Sequence, residues 1–391
     1  MLKNSILFSP VKLGKCVIPN RFMRSATYEG LGGTTGLPRS VLNKKIEDLA
    51  TGEVGLIVPG YVYPTIRGKA SPRQCGMSRI ADSQVWEPSV DIIHKKGSKI
   101  MFQVCHGGSR CQKNVINGLQ PIGCSPDPNF PGSREMTNAE IEDTIDSFVQ
   151  SSFRLQSIGV DGIQLHAAHG FLLSSFLSPY LNRRKDKWGG SLENRLRIVY
   201  EIVRSIREFT APDFLISIKM NGSDYVDGGV TPQIAAEYVK KLLPFVDLFE
   251  ISGGLGLKPS YGTRCEFHNE SYLKNLTQKE YDQIVPQIKL ATQKVKYCDG
   301  YNREAVEIIH NIVPEAKLAI VGGVRNIQSM EEMLQKGTVQ LISMSRPFLK
   351  QPHLVKDLRT GKINKIGCNS CGICSYYNES VRTGSKCHNY N

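Results

Sequence analysis

His166-Ala-Ala-His169 places two imidazoles three residues apart, directly after the strand-like run Asp161-Gly-Ile-Gln-Leu165. A helical turn there projects both rings to one side, where two neutral imidazole N–H groups can grip one oxygen of a substrate. The same spacing also serves a helix-capping or core pair with no chemistry. Gln103, which can donate and accept, suits the edge of a heterocycle. Lys219 has three readings: a Schiff-base nucleophile as in aldolases, a cation beside a delocalised anion, or half of a structural ion pair. Gly322-Gly323 reads alone as a turn. Together with Ser345-Arg346 it combines close backbone approach with a cation, as phosphate binding requires.

These residues acquire a common location from the elements around them. Short apolar or β-branched runs recur at 22–26, 54–59, 99–104, 162–166, 214–220, 248–251, 318–321 and 341–344, separated by helix-length amphipathic segments. Helix starts are marked by capping boxes at Thr137-x-x-Glu140 and Thr277-x-x-Glu280 and by Thr231-Pro232. Alternating strands and helices imply a parallel sheet, and eight repeats predict an α/β fold of the (β/α)8 TIM-barrel type. No G-x-G-x-x-G follows the first strand, which argues against an open doubly wound sheet. The turn-rich start, Leu7 to Asn20, reads as an N-terminal hairpin closing the barrel floor. The long stretches 105–136 and 253–275 fall on the catalytic face. Residues 1–361 form the expected barrel and 362–391 a Cys-rich C-terminal extension. In such a barrel Gln103, His166, His169, Lys219, Gly323, Ser345 and Arg346 share one rim, which a phosphorylated, planar, reducible cofactor would use in full.

Composition narrows the partners. At 391 residues, with 40% hydrophobic and 22% charged residues, the chain has the balance of a soluble globular protein. No apolar run reaches membrane-span length, and the start is too short for a secretory signal, so the expected location is cytoplasmic. A net charge of +13, from 49 basic and 36 acidic residues, is scattered rather than run together, which favours anionic cofactors or substrates over nucleic acid. Self-association into a homo-oligomer is compatible with all of this.

The run His166-Ala-Ala-His-Gly-Phe-Leu-Leu-Ser-Ser-Phe-Leu-Ser-Pro179, continued by Asn182, Arg183, Asp186, Trp188-Gly-Gly-Ser191 and Asn194-Arg195, resembles the signature of the Old Yellow Enzyme family of flavin-dependent ene-reductases. Leu7-Phe-Ser-Pro, Asn20-Arg21-Phe22-Met-Arg-Ser-Ala-Thr27, Gln103-Val-Cys-His106, Ser223-Asp-Tyr225 and Ser345-Arg-Pro-Phe348 extend the likeness from residue 5 to about 355. The resemblance implies FMN held noncovalently at the barrel mouth, reduced by NADH or NADPH and reoxidised by an electron-poor acceptor. It places Ser25, Ala26 and Thr27 along the flavin ring, Gly60 near its edge, Gln103 at the pyrimidine carbonyls and Lys219 beside N1 and O2. Gly323, Ser345 and Arg346 would hold the phosphate, and His166 and His169 the acceptor's carbonyl oxygen. One departure stands out. Where the family has tyrosine two residues after the second histidine, as acid for the substrate's α-carbon, this chain has Phe171. Unless Tyr28 or a water replaces that acid, acceptors that need no carbon protonation, such as quinones, nitro compounds or oxygen, are relatively favoured.

Cys368, Cys371, Cys374 and Cys387 fall within the last 24 residues. The larger 2,4-dienoyl-CoA reductase relatives carry a similar array for a [4Fe-4S] cluster, with a middle gap one residue longer. Four thiolates suit a cluster or zinc, and the same residues also read as free or structural thiols. The remaining alternative function is a Schiff-base aldolase or lyase working through Lys219.

Overall fold

The computed structural model describes residues 4–256, 263–266, 276–376 and 384–387. Eight strands close into a parallel barrel. They are β1 (Phe22–Arg24), β2 (Leu56–Ile57), β3 (Lys99–Val104), β4 (Gly162–Ala167), β5 (Leu215–Ser223), β6 (Leu248–Gly253), β7 (Leu318–Val321) and β8 (Leu341–Met344). Each pairs with its sequence neighbour, and β8 returns to β1 through Ile342↔Phe22 and Met344↔Arg24. All eight expected strands are present; the first two are shorter than their apolar runs suggest, and β5 ends three residues later than its run. The predicted helix starts also form: both capping boxes close, and Thr231 caps a helix with Pro232 at its first position.

The alternation of strand side chains makes two cores from one sheet. Outward-pointing Ile57, Ile100, Phe102, Ile163, Ile218, Phe249, Ile320 and Ile342 pack against the surrounding helices in the main hydrophobic cluster. Inward-pointing Met23, Leu56, Met101, Leu215, Leu248, Ala319 and Leu341 form a second apolar layer at the N-terminal end of the barrel. The hairpin Val11–Leu13/Cys16–Ile18 contributes Leu13, Cys16 and Ile18 to that layer, so it does plug the floor. Gly162 is required there, because a Cβ would lie 2.4 Å from the Leu215 carbonyl oxygen.

Of the two expected long stretches, 105–136 contains a short 3-10 turn at Gly108–Arg110 and a two-stranded pairing of Ile122–Gly123 with Arg134–Glu135. In the other, residues 257–262 and 267–275 lie outside the described residues, as do 377–383 and 388–391 of the expected tail. Among the described residues no helix is long and apolar enough to cross a membrane.

Asp161, just before β4, ties the floor together by accepting from Lys99 Nζ (2.8 Å), His94 Nε2 (2.7 Å) and the Ile100 amide (2.9 Å). Burial alone would raise its carboxyl, but the hydrogen bonds from His94, Lys99 and Ile100 more than offset this and hold it below the usual carboxylate range. Its folded-state pKa therefore lies below the unfolded one, and its contribution is complete above the unfolded value and disappears as pH falls through the folded one. Asp161→Asn should lower stability at pH 7 by about 2 kcal/mol, measured by urea unfolding. The gap to wild type should shrink below about pH 4.

Candidate active site

Above the apolar floor the inward positions turn polar two residues further along six of the eight strand runs. Met23 is followed by Ser25, Met101 by Gln103, Gly162 by Gln164, Leu215 by Ser217, Leu248 by Glu250 and Leu341 by Ser343. Ladder pairing sets these side by side: Gln103↔Gln164↔Ser217 at one level, and His166↔Lys219↔Glu250 across β4, β5 and β6. Glu250 has no solvent exposure. Its Oε1 accepts from Ser25 Oγ (2.7 Å) and Ser343 Oγ (2.7 Å) and lies 3.4 Å from Lys219 Nζ. Its Oε2 accepts from Gln164 Nε2 (3.0 Å). Lys219 also donates to Ser25 Oγ at 2.8 Å. A lysine held as donor to a carboxylate and a hydroxyl has the arrangement of an ammonium, and this disfavours the Schiff-base reading, which needs a free amine.

The rim above this network opens into a cleft lined by Ser25, Ala26, His169, Lys219, Ser252, Gly323, Ser345 and Arg346 among others. Seven of the expected site residues are thus brought to one place. At its β7–β8 corner Gly322 and Gly323 have φ of 133° and 73°, values that favour glycine. A Cβ on either would press into the Tyr301 ring, at 2.6 and 2.8 Å. The backbone N–H groups of Gly323 and Val324 make no hydrogen bond among the described residues. Arg346 is 9% exposed and donates to the Arg264 carbonyl at 2.9 Å. Free amides beside a buried guanidinium are a chemically apt phosphate corner. The cleft volume is about 140 Å³, below the roughly 300 Å³ of typical ligand cavities.

The histidine pair forms, though not by a helical turn. His166 is within β4, whereas His169 is in the following turn at φ 64°, and the next helix starts only at Leu172. A left-handed residue reverses the chain, which brings the ring centroids to 5.3 Å, edge to face. Asn221 Oδ1 fixes the turn by accepting from the His169 amide at 3.1 Å. Burial, then the charges of Lys219 and Arg110, push His169 down to about 3; burial, His169, Lys219 and Arg110 push His166 well below its usual value. Both rings are therefore neutral at physiological pH. His166 Nδ1 accepts from the Ala168 amide (3.4 Å), which leaves its proton on Nε2. His169 Nε2 lies 2.7 Å from Ser252 Oγ; when that hydroxyl donates, His169 keeps a donor at Nδ1.

Phe171 packs on His166 at 4.8 Å between centroids, with the Arg110 guanidinium 5.4 Å over its ring. Tyr28, the expected substitute acid, stacks on Tyr61 at 5.6 Å, and Tyr61 reaches both His166 (5.9 Å) and Phe171 (5.5 Å). Tyr61 is thus the phenol beside the pair. Sequence reasoning missed it, although its place directly after Gly60 at the end of β2 was a usable signal. Glu250 was missed too, and its signal was an acid within the apolar run Leu248-Phe-Glu-Ile251.

Other expected residues are placed as follows. Thr27 Oγ1 is 2.6 Å from Ser345 Oγ. The Gly60 amide donates to Glu29 Oε2 (3.0 Å), and a Cβ there would lie 2.4 Å from the Thr27 carbonyl oxygen. Gln103 is not among the cleft-lining residues; its Nε2 donates to Gln164 Oε1 at 2.7 Å. The tail meets the phosphate corner, where Ser375 lines the cleft and the Ser370 carbonyl accepts from the Glu266 amide at 3.0 Å. Cys368, Cys371, Cys374 and Cys387 are all described. Yet no three His, Cys, Asp or Glu side chains among the described residues are grouped so as to hold a metal. Burial, with the neighbouring thiols of Cys368, Cys371 and Cys387, pushes the Cys374 thiol up to about 12.

Comparison with known proteins agrees with this geometry. Residues 6–243 match the model of the NADH:flavin oxidoreductase / NADH oxidase family. The chain is 30% identical over 374 residues to an NADH oxidase of Thermoanaerobacter brockii, covering 94% of this chain and 53% of that protein. It is 28% identical to an NADPH dehydrogenase of Geobacillus sp. (strain WCH70), covering 89% and 92%. The old yellow enzyme homologue from Zymomonas mobilis superposes with a TM-score of 0.71 at 20% identity, covering 92% and 93%, which shows the shared fold. The chain spans about half the length of the Thermoanaerobacter relative. With a family model matched across more than half its length, on the barrel whose rim gathers His169, Lys219 and Arg346, this chain belongs to the NADH:flavin oxidoreductase / NADH oxidase family, the Old Yellow Enzyme family.

Proposed function

We propose that this protein is an FMN-dependent NAD(P)H oxidoreductase that passes reducing equivalents to an electron-poor carbonyl, quinone or related acceptor held by His166 and His169. The observation that carries the reading is the single cleft shared by Lys219, His169, Gly323, Ser345 and Arg346. FMN, when bound, supplies hydride-type two-electron redox chemistry. The chain's own residues would do the rest. Arg346, Ser345 and the free amides at Gly323 and Val324 hold a phosphate. Ser25, Ala26 and Thr27 would border the ring, with Gly60 near its edge; Lys219 would present its charge to the ring, held by Glu250, which Gln103 supports through Gln164. His166 Nε2–H and a His169 N–H donate to the acceptor oxygen, which draws electron density from the carbon to be reduced.

Because both imidazoles are neutral, that polarisation needs no ionisation near neutrality. Proton delivery is a separate matter: Phe171 offers no hydroxyl, and Tyr61 is the phenol in contact with both Phe171 and His166. Acceptors that need carbon protonation would depend on Tyr61, and quinones would not. Cytoplasmic location and the two-part division at residue 361 fit this reading.

The purified protein should bind FMN, and the flavin absorbance near 450 nm should bleach with NADH or NADPH in the absence of oxygen, roughly the behaviour expected of a bound nicotinamide-reducible flavin. A folded preparation that is indifferent to FMN overturns the proposal. Replacing His166 or His169 by alanine should lower kcat/KM for the acceptor by roughly 10²–10³-fold. The wild-type acceptor profile should show no histidine ionisation between about pH 5 and 8. Tyr61→Phe should depress enone reduction by about 10²-fold with quinone reduction little changed, and Phe171→Tyr should restore it in the double variant; steady-state kinetics with paired acceptors reads both.

A further inference from the structure

Lys69 lies outside the cleft described above and is 6% exposed. Its ammonium stands over the Tyr63 ring at 5.4 Å, and among the described residues it has no carboxylate or hydrogen-bond partner. Cys75, its electrostatic neighbour, is no counter-ion, because burial pushes that thiol up to about 12. Asp82 is already engaged: its Oδ2 accepts from the Ser78 and Arg79 amides, each at 3.0 Å, and its Oδ1 is bound by the Arg79 guanidinium. The side chain is nearly buried, and that burial lowers the Lys69 pKa.

That ammonium opens into a separate cleft of about 690 Å³. Thr34, Thr35, Thr65 and Asn114 line it with hydroxyl and amide donors, the Ser78 hydroxyl is taken by Asp82 Oδ2 (3.1 Å), and Arg79 adds a second cation whose charge Asp82 balances. The lining segments follow β1, β2 and β3, so the cleft is on the catalytic face of the barrel. It adjoins the acceptor side: Tyr63, beneath Lys69, is two residues beyond Tyr61, roughly 7 Å along extended backbone.

We propose that this second cleft is an anion subsite in which Lys69 and the surrounding hydroxyl and amide donors bind a phosphate group carried by a substrate of the neighbouring site. One unpaired cation ringed by neutral donors matches an oxyanion, since each donor can bond a different oxygen. The flexible single-point charge of lysine suits a phosphate that enters with a larger molecule. Two sources share that chemistry, the phosphates of the nicotinamide dinucleotide and a phosphorylated tail on the acceptor.

The test is calorimetric titration of the protein as purified with inorganic pyrophosphate, beside Lys69→Met, Lys69→Arg and Asn114→Asp. Lys69→Met keeps the side-chain volume, and Asn114 is exposed, so the latter variant leaves the core untouched. Wild type should bind pyrophosphate. Lys69→Met and Asn114→Asp should each weaken it at least about tenfold, and Lys69→Arg should stay within roughly threefold. A matching rise in KM for NAD(P)H in Lys69→Met assigns the phosphate to the reductant; a rise confined to a phosphorylated acceptor assigns it to the acceptor. Pyrophosphate binding that survives both Lys69→Met and Asn114→Asp but is abolished by Arg346→Ala belongs to the other cleft and overturns the proposal, as does absence of binding to wild type.

Discussion

The barrel interior beneath the cleft depends on one buried carboxylate. Glu250 sits in the barrel interior and joins β1, β4, β5 and β8 to β6 through Ser25, Gln164, Lys219 and Ser343. A charge removed from water is tolerated only when its oxygens are fully engaged, and here two hydroxyls, an amide and an ammonium engage them. Removing Lys219 would leave an isolated buried anion, and removing Glu250 an isolated buried cation. The pair therefore fixes where the lysine can stand, and with it the positive charge that faces the cleft.

That positive charge shapes the acceptor side as well. Lys219 and Arg110 flank the imidazoles and, together with burial, keep them neutral. Arg110 also donates to the Gly170 carbonyl at 3.0 Å and to the Leu255 carbonyl, so the same guanidinium pins the turn carrying His169 to the loop after β6. Electrostatics and positioning are supplied by one residue. A second buried pair, Arg24 with Glu29, does similar work nearby, because Glu29 also accepts from the Gly60 amide and Arg24 donates to the Val58 carbonyl. The rim is rigid where polar groups are held by strands, and its variable chemistry lies in the loops they support.

The fold was legible because barrel strands are short, apolar and regularly spaced, and because helix starts such as Thr137-x-x-Glu140 carry their own hydrogen-bonding logic. Much of the rim was legible for the same reason, since a residue just beyond a strand in a parallel barrel has a known destination. Glu250 and Gln164 escaped notice because they lie inside runs that read as apolar, and an inward polar residue has no local signature until the barrel closes around it. Tyr61 escaped because its contacts with His166 and Phe171 join the loop after β2 to the end of β4 and the loop beyond it.

The sequence by itself determined the order of strands and helices, the family, the identity of the groups able to donate, accept or carry charge, and the absence of a hydroxyl at position 171. Only the tertiary structure decided which of those groups meet. His169 reaches His166 through a left-handed turn rather than a helix, Lys219 is held by Glu250, and the four tail cysteines are not placed as a ligand set. The physical reason is range: propensity and capping act over a few residues, whereas desolvation and charge pairing act between strands far apart in the chain.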